Sequence, residues 1–121
     1  MPRTLLFLSM VGLYCSPPET PDLISSLRFT PSAFDSFRRN TELKYSFKTS
    51  QTVSIYIIRK AGSAEQLVKT LAEGIEETKG SHSITWLGDT NQNLFAPAGA
   101  YCGVVQVHDQ RFEAVVQVFH F

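Results

Sequence analysis

The sequence predicts an all-β fold, a sandwich of two antiparallel sheets built from about seven short strands. Apolar and polar residues alternate through several segments, most clearly in residues 42–48, where Leu43, Tyr45 and Phe47 share one face. Glycine, proline and short polar residues separate these segments at regular spacing. After the first 26 residues no segment has the apolar period of a stable helix. The fold class is therefore Ig-like or fibronectin-III-like.

The first strand and the connection after it are predicted from aromatic residues and proline. Leu27 and Phe29 indicate a short edge strand, which ends at a proline because proline cannot donate to a sheet hydrogen bond. Residues 32–41 are polar and are interpreted as a connection that turns Phe34 and Phe37 inward.

The remaining strands follow in chain order. Residues 66–74 fit either a strand or one short helical turn, and so short a helix is marginal in water, which favours the strand. Residues 75–80 are expected to be a solvated turn. The other strands are expected at residues 42–48, 52–60, 81–86, 100–107 and 111–121. The last two should form a hairpin with a connection of about three residues.

Size and charge limit the classes of function. A chain of 121 residues suits one domain with one core. Eleven Lys and Arg residues balance eleven Asp and Glu residues, so the chain lacks the basic excess that nucleic-acid binding requires. The adjacent pair Arg38 and Arg39 is interpreted as part of a solvated turn.

Residues 1–15 are interpreted as a signal or lipoprotein signal segment. Arg3 precedes an uncharged apolar run, 5–14, that is shorter than the roughly 20 residues of a membrane-spanning helix. A basic start followed by a short apolar stretch is typical of a secretory signal, and Cys15 would then be the lipidation site of a lipoprotein. The alternatives are an uncleaved anchor or a first β-strand. Export predicts a periplasmic, outer-membrane or secreted protein, whereas a strand predicts a cytoplasmic one.

Residues 16–26 are expected to be a proline-rich tether, which leaves residues 27–121 as the sandwich domain. The chain has two cysteines, too few for a disulfide framework. Cys102 is expected to be a small packing residue in a strand. A bridge between Cys15 and Cys102 would compete with lipidation, and it is not expected.

An ordered string of residues resembles the Ig-like domain of flagellar hook-capping proteins of the FlgD type. The matching pieces are TVSIYII, LVKTL, KGSHSITWLGD and APAGAY, across roughly residues 27–107. The resemblance rests on Gly80, Trp86, Gly88, Gly99 and Tyr101. It implies a free-standing, exported bacterial domain of this type, although this chain has a leucine where the family has an acidic residue after the tryptophan.

The same residues have structural roles on physical grounds. Trp86 supplies a large apolar ring whose N–H needs an acceptor, which suits the end of a buried strand beside a loop. Gly88 permits a positive φ, and Gly99 permits a sharp turn or a close approach. Tyr101 is expected to bury its ring and keep its hydroxyl at the rim.

No catalytic, cofactor or metal site is predicted. The three histidines, His82, His108 and His120, lack the spacing of metal ligands, and no serine or cysteine lies in a nucleophile context. Asp89, Asn91 and Asn93 resemble an oxygen-rich calcium loop but lack its glutamate, so asparagine and aspartate caps of the loop backbone are the favoured interpretation.

The predicted function is a non-enzymatic structural or protein-binding module without a cofactor. Its expected working surfaces are a sheet edge, which can accept another strand, and the loop that carries Asp89, Asn91, Asn93 and Phe95. An exposed Phe95 would be the best anchor. A protein partner is expected, no nucleic acid, and a membrane only through an N-terminal lipid or uncleaved signal. The alternatives are a flagellar hook assembly component and a small extracytoplasmic protease inhibitor.

Overall fold

A computed structural model describes Cys15 and residues 23–120 of the protein. Eight strands are described: β1 (Ile24–Thr30), β2 (Ala33–Asp35), β3 (Thr41–Phe47), β4 (Gln51–Ala61), β5 (Ala64–Glu77), β6 (Gly80–Trp86), β7 (Gly99–Val107) and β8 (Gln110–Phe119). The all-β prediction is confirmed. Within the described part of the chain no helix is long and apolar enough to cross a membrane. Apart from Cys15, the predicted signal segment lies outside the described residues, as does most of the tether.

The strands form two sheets. The smaller sheet has three strands in the order β1-β3-β6, and the larger sheet has five in the order β2-β8-β7-β4-β5. All pairs are antiparallel except β2 with β8, which is parallel. The first strand of the fold thus contributes to the smaller sheet and its continuation, β2, to the larger one. This is the sandwich arrangement that the sequence predicts.

The core lies between the inward faces of the two sheets. The alternation in β3 places Leu43, Tyr45 and Phe47 inward, and all three are buried. Gly103 of β7 allows the sheets to approach, because a Cβ at this position would lie 2.5 Å from the Phe29 ring. The other core side chains are Ile24, Phe34, Val53, Ile55, Ile57, Trp86, Ala96, Tyr101, Val105, Val107, Phe112, Val116 and Val118.

The predictions for the first part of the domain need correction. The predicted tether is too long, because β1 already begins at Ile24 and pairs there with Phe47. The connection at 32–41 contains β2, which was not predicted because a strand of three residues shows no alternation. Of the two aromatic residues in this connection, Phe34 is buried as expected, but Phe37 is exposed.

The segment predicted as a turn at 75–80 is also different. Strand β5 continues to Glu77, and β6 starts at Gly80, so the turn is only residues 78–79. Strand β5 is long but irregular, with three register shifts against β4 and a positive φ at Gly74. The expected strand at 66–74 is confirmed within it. The final hairpin is tighter than predicted, because Val107 pairs directly with Gln110.

The two cysteines form a disulfide bond, with Cα atoms 5.5 Å apart. The expectation that Cys15 and Cys102 do not pair is therefore wrong. The bond lies on the outer face of the larger sheet, where Cys102, Ile58 and Val104 form a second buried cluster that Cys15 contacts. In this structure the sulfur on which a lipid would be attached is bonded to Cys102.

Candidate protein-binding surface

The loop between β6 and β7 is fixed at both ends by buried aromatic residues. The indole N–H of Trp86 donates to the backbone oxygen of Asp89 at 3.0 Å. The hydroxyl of Tyr101 donates to the backbone oxygen of Pro97. The two rings pack edge to face with centroids 5.5 Å apart, and neither ring is exposed. Both are therefore core residues, and the ring of Tyr101 is not accessible to a partner.

Glycines shape the two ends of this loop differently. Gly88 has φ +77°, and a Cβ there would lie 2.4 Å from the Cβ of Ser36. Its backbone oxygen accepts a hydrogen bond from Ala96 at 2.8 Å, which closes the loop. Gly99 has φ +150°, and a Cβ added there would meet no atom within 4 Å, so this glycine serves the turn and not a close approach.

The interior of the loop is capped by Thr90. Its hydroxyl accepts from the backbone N–H groups of Gln92 and Leu94, at 3.2 and 3.3 Å. Its backbone oxygen accepts from Asn93, which adopts a positive φ of 64°. The threonine hydroxyl thus fulfils the capping role that the sequence predicted for aspartate and asparagine side chains.

Asn91 instead joins the loop to the edge of β5. Its backbone N–H donates to the oxygen of Val68 at 2.9 Å, and its side-chain oxygen accepts from the N–H of Thr70 at 3.1 Å. The carboxylate of Asp89 pairs with the ammonium group of Lys69 at 2.9 Å. One carboxylate oxygen of Asp89 and the side-chain oxygen of Asn91 are therefore already bonded within the protein.

The loop presents its large apolar side chains to solvent. Phe95 is 56% exposed and Leu94 65%, whereas Ala96 beside them is buried. The ring of Phe37 contacts the ring of Phe95 edge to face at 4.6 Å and stacks on the ring of His120 at 4.1 Å. We call the surface formed by Phe37, Leu87, Leu94, Phe95 and His120 the aromatic patch.

A hydrogen-bonded turn carries Phe37 into the patch. The carboxylate of Asp35, at the end of β2, accepts from the N–H of Phe37 at 3.0 Å. The backbone oxygen of Asp35 accepts from the N–H groups of Arg38 and Arg39, at 3.1 and 2.8 Å. The parallel pairing of β2 with β8 brings this turn beside His120, because Asp35 lies opposite Phe119. The patch thus rests on strand ends that the sheet holds in place.

Basic side chains border the patch. Arg38 and Arg39 line an open hollow of about 360 Å³ together with Leu87, Leu94 and Phe95. The side chain of Arg38 is 71% exposed, and its Nε lies 3.7 Å from a carboxylate oxygen of Asp35. The hollow therefore combines apolar side chains with guanidinium groups.

Of the aromatic patch, only Phe95 was predicted as a binding residue from the sequence. Leu87 had a usable signal, since the residue after an inward-facing Trp86 must face outward in an extended chain. No sequence signal indicates the positions of Phe37 and His120, because they follow from the pairing of β2 with β8. The sequence does not reveal that pairing. The sequence predicts a solvated turn at Arg38 and Arg39, and the structure places that turn beside the hollow.

A polar cluster connects the two sheets. The hydroxyl of Tyr45 donates to the carboxylate of Glu77, whose other oxygen lies 3.3 Å from Nδ1 of His82. The Nε2 of His82 is 2.7 Å from the backbone oxygen of Thr78, to which it donates. Burial, and then the hydrogen bond to the Glu77 carboxylate, raise the pKa of Tyr45 well above its usual value. These groups bond to one another, which is the arrangement of a structural cluster.

One group of three potential metal ligands lies close together among the described residues, namely Cys15, Cys102 and Glu113. Its two sulfurs are joined in the disulfide bond. The carboxylate of Glu113 pairs with Lys60 at 2.9 Å and with Arg111 at 3.2 Å. The three ligands are therefore engaged within the protein.

Neither a protein-family model nor a curated protein sequence matches this chain. The resemblance to the FlgD-type domain stays a prediction from the sequence.

Proposed function

We propose that this protein is a non-enzymatic Ig-like module that binds another protein through the aromatic patch. Exposed apolar surface costs free energy in water, and a cluster of it on a small domain is typical of an interaction site. Phe95, Leu94 and Leu87 are all more than half exposed, although the fold has buried the other large rings at the ends of this loop, Trp86 and Tyr101. The exposure of Phe95 is the observation that carries the proposal.

The geometry supports this surface over the two edges of the larger sheet. Strand β2, one edge of the larger sheet, has only three residues. Strand β5, the other edge, is irregular and is covered at Val68 and Thr70 by Asn91. Short, irregular or covered edges resist the addition of another strand. A loop surface on rigid strand ends, by contrast, binds with little loss of conformational entropy.

The test is capture of a partner by the purified protein and its Phe95→Ala variant. We expect the wild type to retain a protein from a cell-envelope extract of its source, and the variant to lose at least about tenfold in apparent affinity, because central aromatic residues carry about 2 kcal/mol or more of binding energy. Leu67→Ala is the matched control, since Leu67 is also exposed but lies on β5.

Thermal unfolding of both variants accompanies the capture experiment. Equal midpoints for wild type, Phe95→Ala and Leu67→Ala would assign the lost capture to the surface. Capture by Phe95→Ala as strong as by the wild type would contradict the proposal. Unfolding of Phe95→Ala would place that ring in the core.

We further propose that the protein acts in an oxidising, extracytoplasmic compartment. The support is the disulfide bond between Cys15 and Cys102, since such bonds persist outside the cytosol, together with the signal-like pattern of residues 1–15. Membrane attachment through a lipid on Cys15 would require this bond to be absent.

Two alternative functions have their own tests. A protease inhibitor would insert Leu94 and Phe95 into a substrate cleft, and an inhibition assay against extracytoplasmic proteases with an apolar specificity pocket would reveal it. A flagellar hook assembly component would co-purify with hook–basal-body fractions. Absence of both results leaves the binding module as the proposed function.

A further inference from the structure

We propose that the partner presents an acidic, apolar segment, in which Asp or Glu residues lie next to aromatic or aliphatic ones. This inference rests on the proposed function and specifies its ligand. Three features of the molecule support it: the charge at the border of the patch, the polar atoms beneath it, and the rigidity of the turn that carries it.

The charge beside the patch is positive and is not fully neutralised. Arg38 and Arg39 are exposed on the border of the hollow. The two nearby carboxylates are already engaged, since Asp89 pairs with Lys69 and Asp35 is buried beneath Arg38. Among the described residues no carboxylate pairs with Arg39. Complementary charge on a partner would therefore be negative.

Guanidinium groups beside aromatic rings suit an acidic partner in a second way. An arginine side chain binds a carboxylate with two parallel hydrogen bonds, which fixes orientation as well as affinity. Phe95 lines the same hollow as the two arginines, and its ring contacts that of Phe37 at 4.6 Å, so apolar side chains of a partner would meet these rings. A segment that alternates acidic and apolar residues would satisfy both kinds of contact.

The polar atoms beneath the patch are unusual. Two buried side-chain atoms of the described residues, Oγ of Ser36 and Nε2 of His120, have no hydrogen-bond partner, and a third, Oδ2 of Asp35, has only the ion pair with Nε of Arg38 at 3.7 Å. All three lie at this end of the sandwich, since Ser36 follows β2 and donates its backbone N–H to Phe119, the residue before His120. Unpaired buried polar groups are rare in folded proteins and call for an explanation such as a bound ligand. These atoms lie at the end of the sandwich that carries the aromatic patch, of which His120 is a member.

The turn is pre-organised for binding. Hydrogen bonds from Phe37, Arg38 and Arg39 to Asp35 fix the backbone on which the two guanidinium groups and one ring are mounted. Binding would therefore order few residues of this protein, which lowers the entropic cost.

Labelled synthetic peptides test the proposal directly. One probe is a 12-residue peptide in which Glu alternates with Phe and Leu, and the second replaces each Glu by Lys. We expect the acidic peptide to bind the full chain at least about tenfold more tightly, measured by fluorescence anisotropy, and its affinity to fall as salt is raised. Equal affinity for the two peptides, or no binding of the acidic one, would overturn the inference.

Charge reversal identifies the residues responsible. Two variants should each lower the affinity for the acidic peptide at least about tenfold: Arg39→Glu, and the double variant Arg38→Glu with Arg39→Glu. The single variant leaves the contact between Asp35 and Arg38 in place. Arg28→Glu is the control, because Arg28 is also exposed but lies on β1. Unchanged affinity in both arginine variants would overturn the inference, and circular dichroism verifies that they are folded.

The remaining outcomes distinguish failure of this inference from failure of the proposed function. Loss of natural partner capture in Phe95→Ala, with full capture by the charge-reversed variants, would retain the binding module and reject an acidic partner. Concentration-dependent self-association that Phe95→Ala abolishes would identify a second copy of this chain as the occupant of the patch. That result would also reject an acidic partner.

Discussion

Trp86 and Leu87 are neighbours in sequence with opposite environments. Trp86 is completely buried and bonded to the loop backbone, whereas Leu87 is 55% exposed. The pleat of an extended chain requires this, because successive side chains point to opposite faces. The same alternation separates buried Ala96 from exposed Phe95. At the scale of single residues, the strand that fixes the core also determines which side chains reach the binding surface.

Substitution of the two neighbours should therefore have very different effects. Trp86→Ala removes a large buried ring and leaves an indole-sized cavity, so we expect a loss of about 3–5 kcal/mol in the free energy of unfolding. Leu87→Ala should change it by less than about 0.5 kcal/mol. Urea denaturation of both variants measures the difference. Similar losses in the two variants would contradict the packing described for this loop.

The sequence was informative where a residue's environment depends on its own strand. Burial of Trp86 and a positive φ at Gly88 follow from local pattern and from the special conformational freedom of glycine. The role of Asn91 was not accessible in this way. Its partners, Val68 and Thr70, lie in another strand, and nothing in the local sequence reveals that distant pairing.

Strand β5 forms an edge of the larger sheet, and a polar cluster at its end links it to the smaller sheet. Its end supplies Glu77, which bonds to Tyr45 of β3 and His82 of β6 in the smaller sheet. The pattern of residues 75–80 resembled a turn because it is highly charged. Glu76 is instead an exposed position on the edge strand, and Glu77 is a bonded carboxylate, so composition alone could not separate an edge strand from a turn.

This cluster predicts how stability depends on alkaline pH. The pKa of Tyr45 is raised in the folded protein, by burial first and by Glu77 second, so below about pH 10 both the folded and the unfolded chain keep the phenol proton. At higher pH the unfolded chain releases it first, and the free energy of unfolding should fall by about 1.4 kcal/mol per pH unit for this group. Tyr101, whose pKa burial also raises, should add to the fall.

The Tyr45→Phe variant tests this effect. It should be less stable than the wild type at pH 8 by about 1 kcal/mol, because it lacks the hydrogen bond to Glu77. Between about pH 10 and pH 11 it should lose less stability than the wild type does, since it has no phenol to ionise at this position. Urea denaturation across this range measures both effects. Glu77→Gln should keep most of the loss of stability at alkaline pH, since burial is the main cause of the raised Tyr45 pKa. Parallel plots of stability against pH for the wild type and Tyr45→Phe would contradict the predicted contribution of Tyr45.

At the scale of the whole molecule, the sandwich has working features on two separate surfaces. The aromatic patch lies at one end, on strand ends from both sheets. The disulfide bond lies on the outer face of the larger sheet, among Ile58, Val104 and Tyr56. The all-β class and most strands were predictable, because they follow from alternation along the chain. The pairing of β2 with β8 and the partner of Cys15 depend on distant contacts, and local patterns do not encode them.

The disulfide bond makes a prediction about stability and one about processing. It joins residues separated by 87 positions, so it should restrict the unfolded chain considerably. We expect reduction, or Cys102→Ala, to lower the free energy of unfolding by about 2–4 kcal/mol, measured by urea denaturation with and without reductant. Equal stability in the two conditions would contradict this role of the bond.

Thiol labelling and intact mass of the protein isolated from its source decide between this bond and a lipid on Cys15. A bonded pair predicts no labelled thiol after unfolding without reductant, because the chain has only two cysteines. A lipidated Cys15 predicts one labelled thiol, on Cys102, and a mass increased by the acyl groups. In that case Cys102 would remain a buried thiol in the outer-face cluster, and the domain would be attached to a membrane through Cys15 while the aromatic patch stayed free to bind.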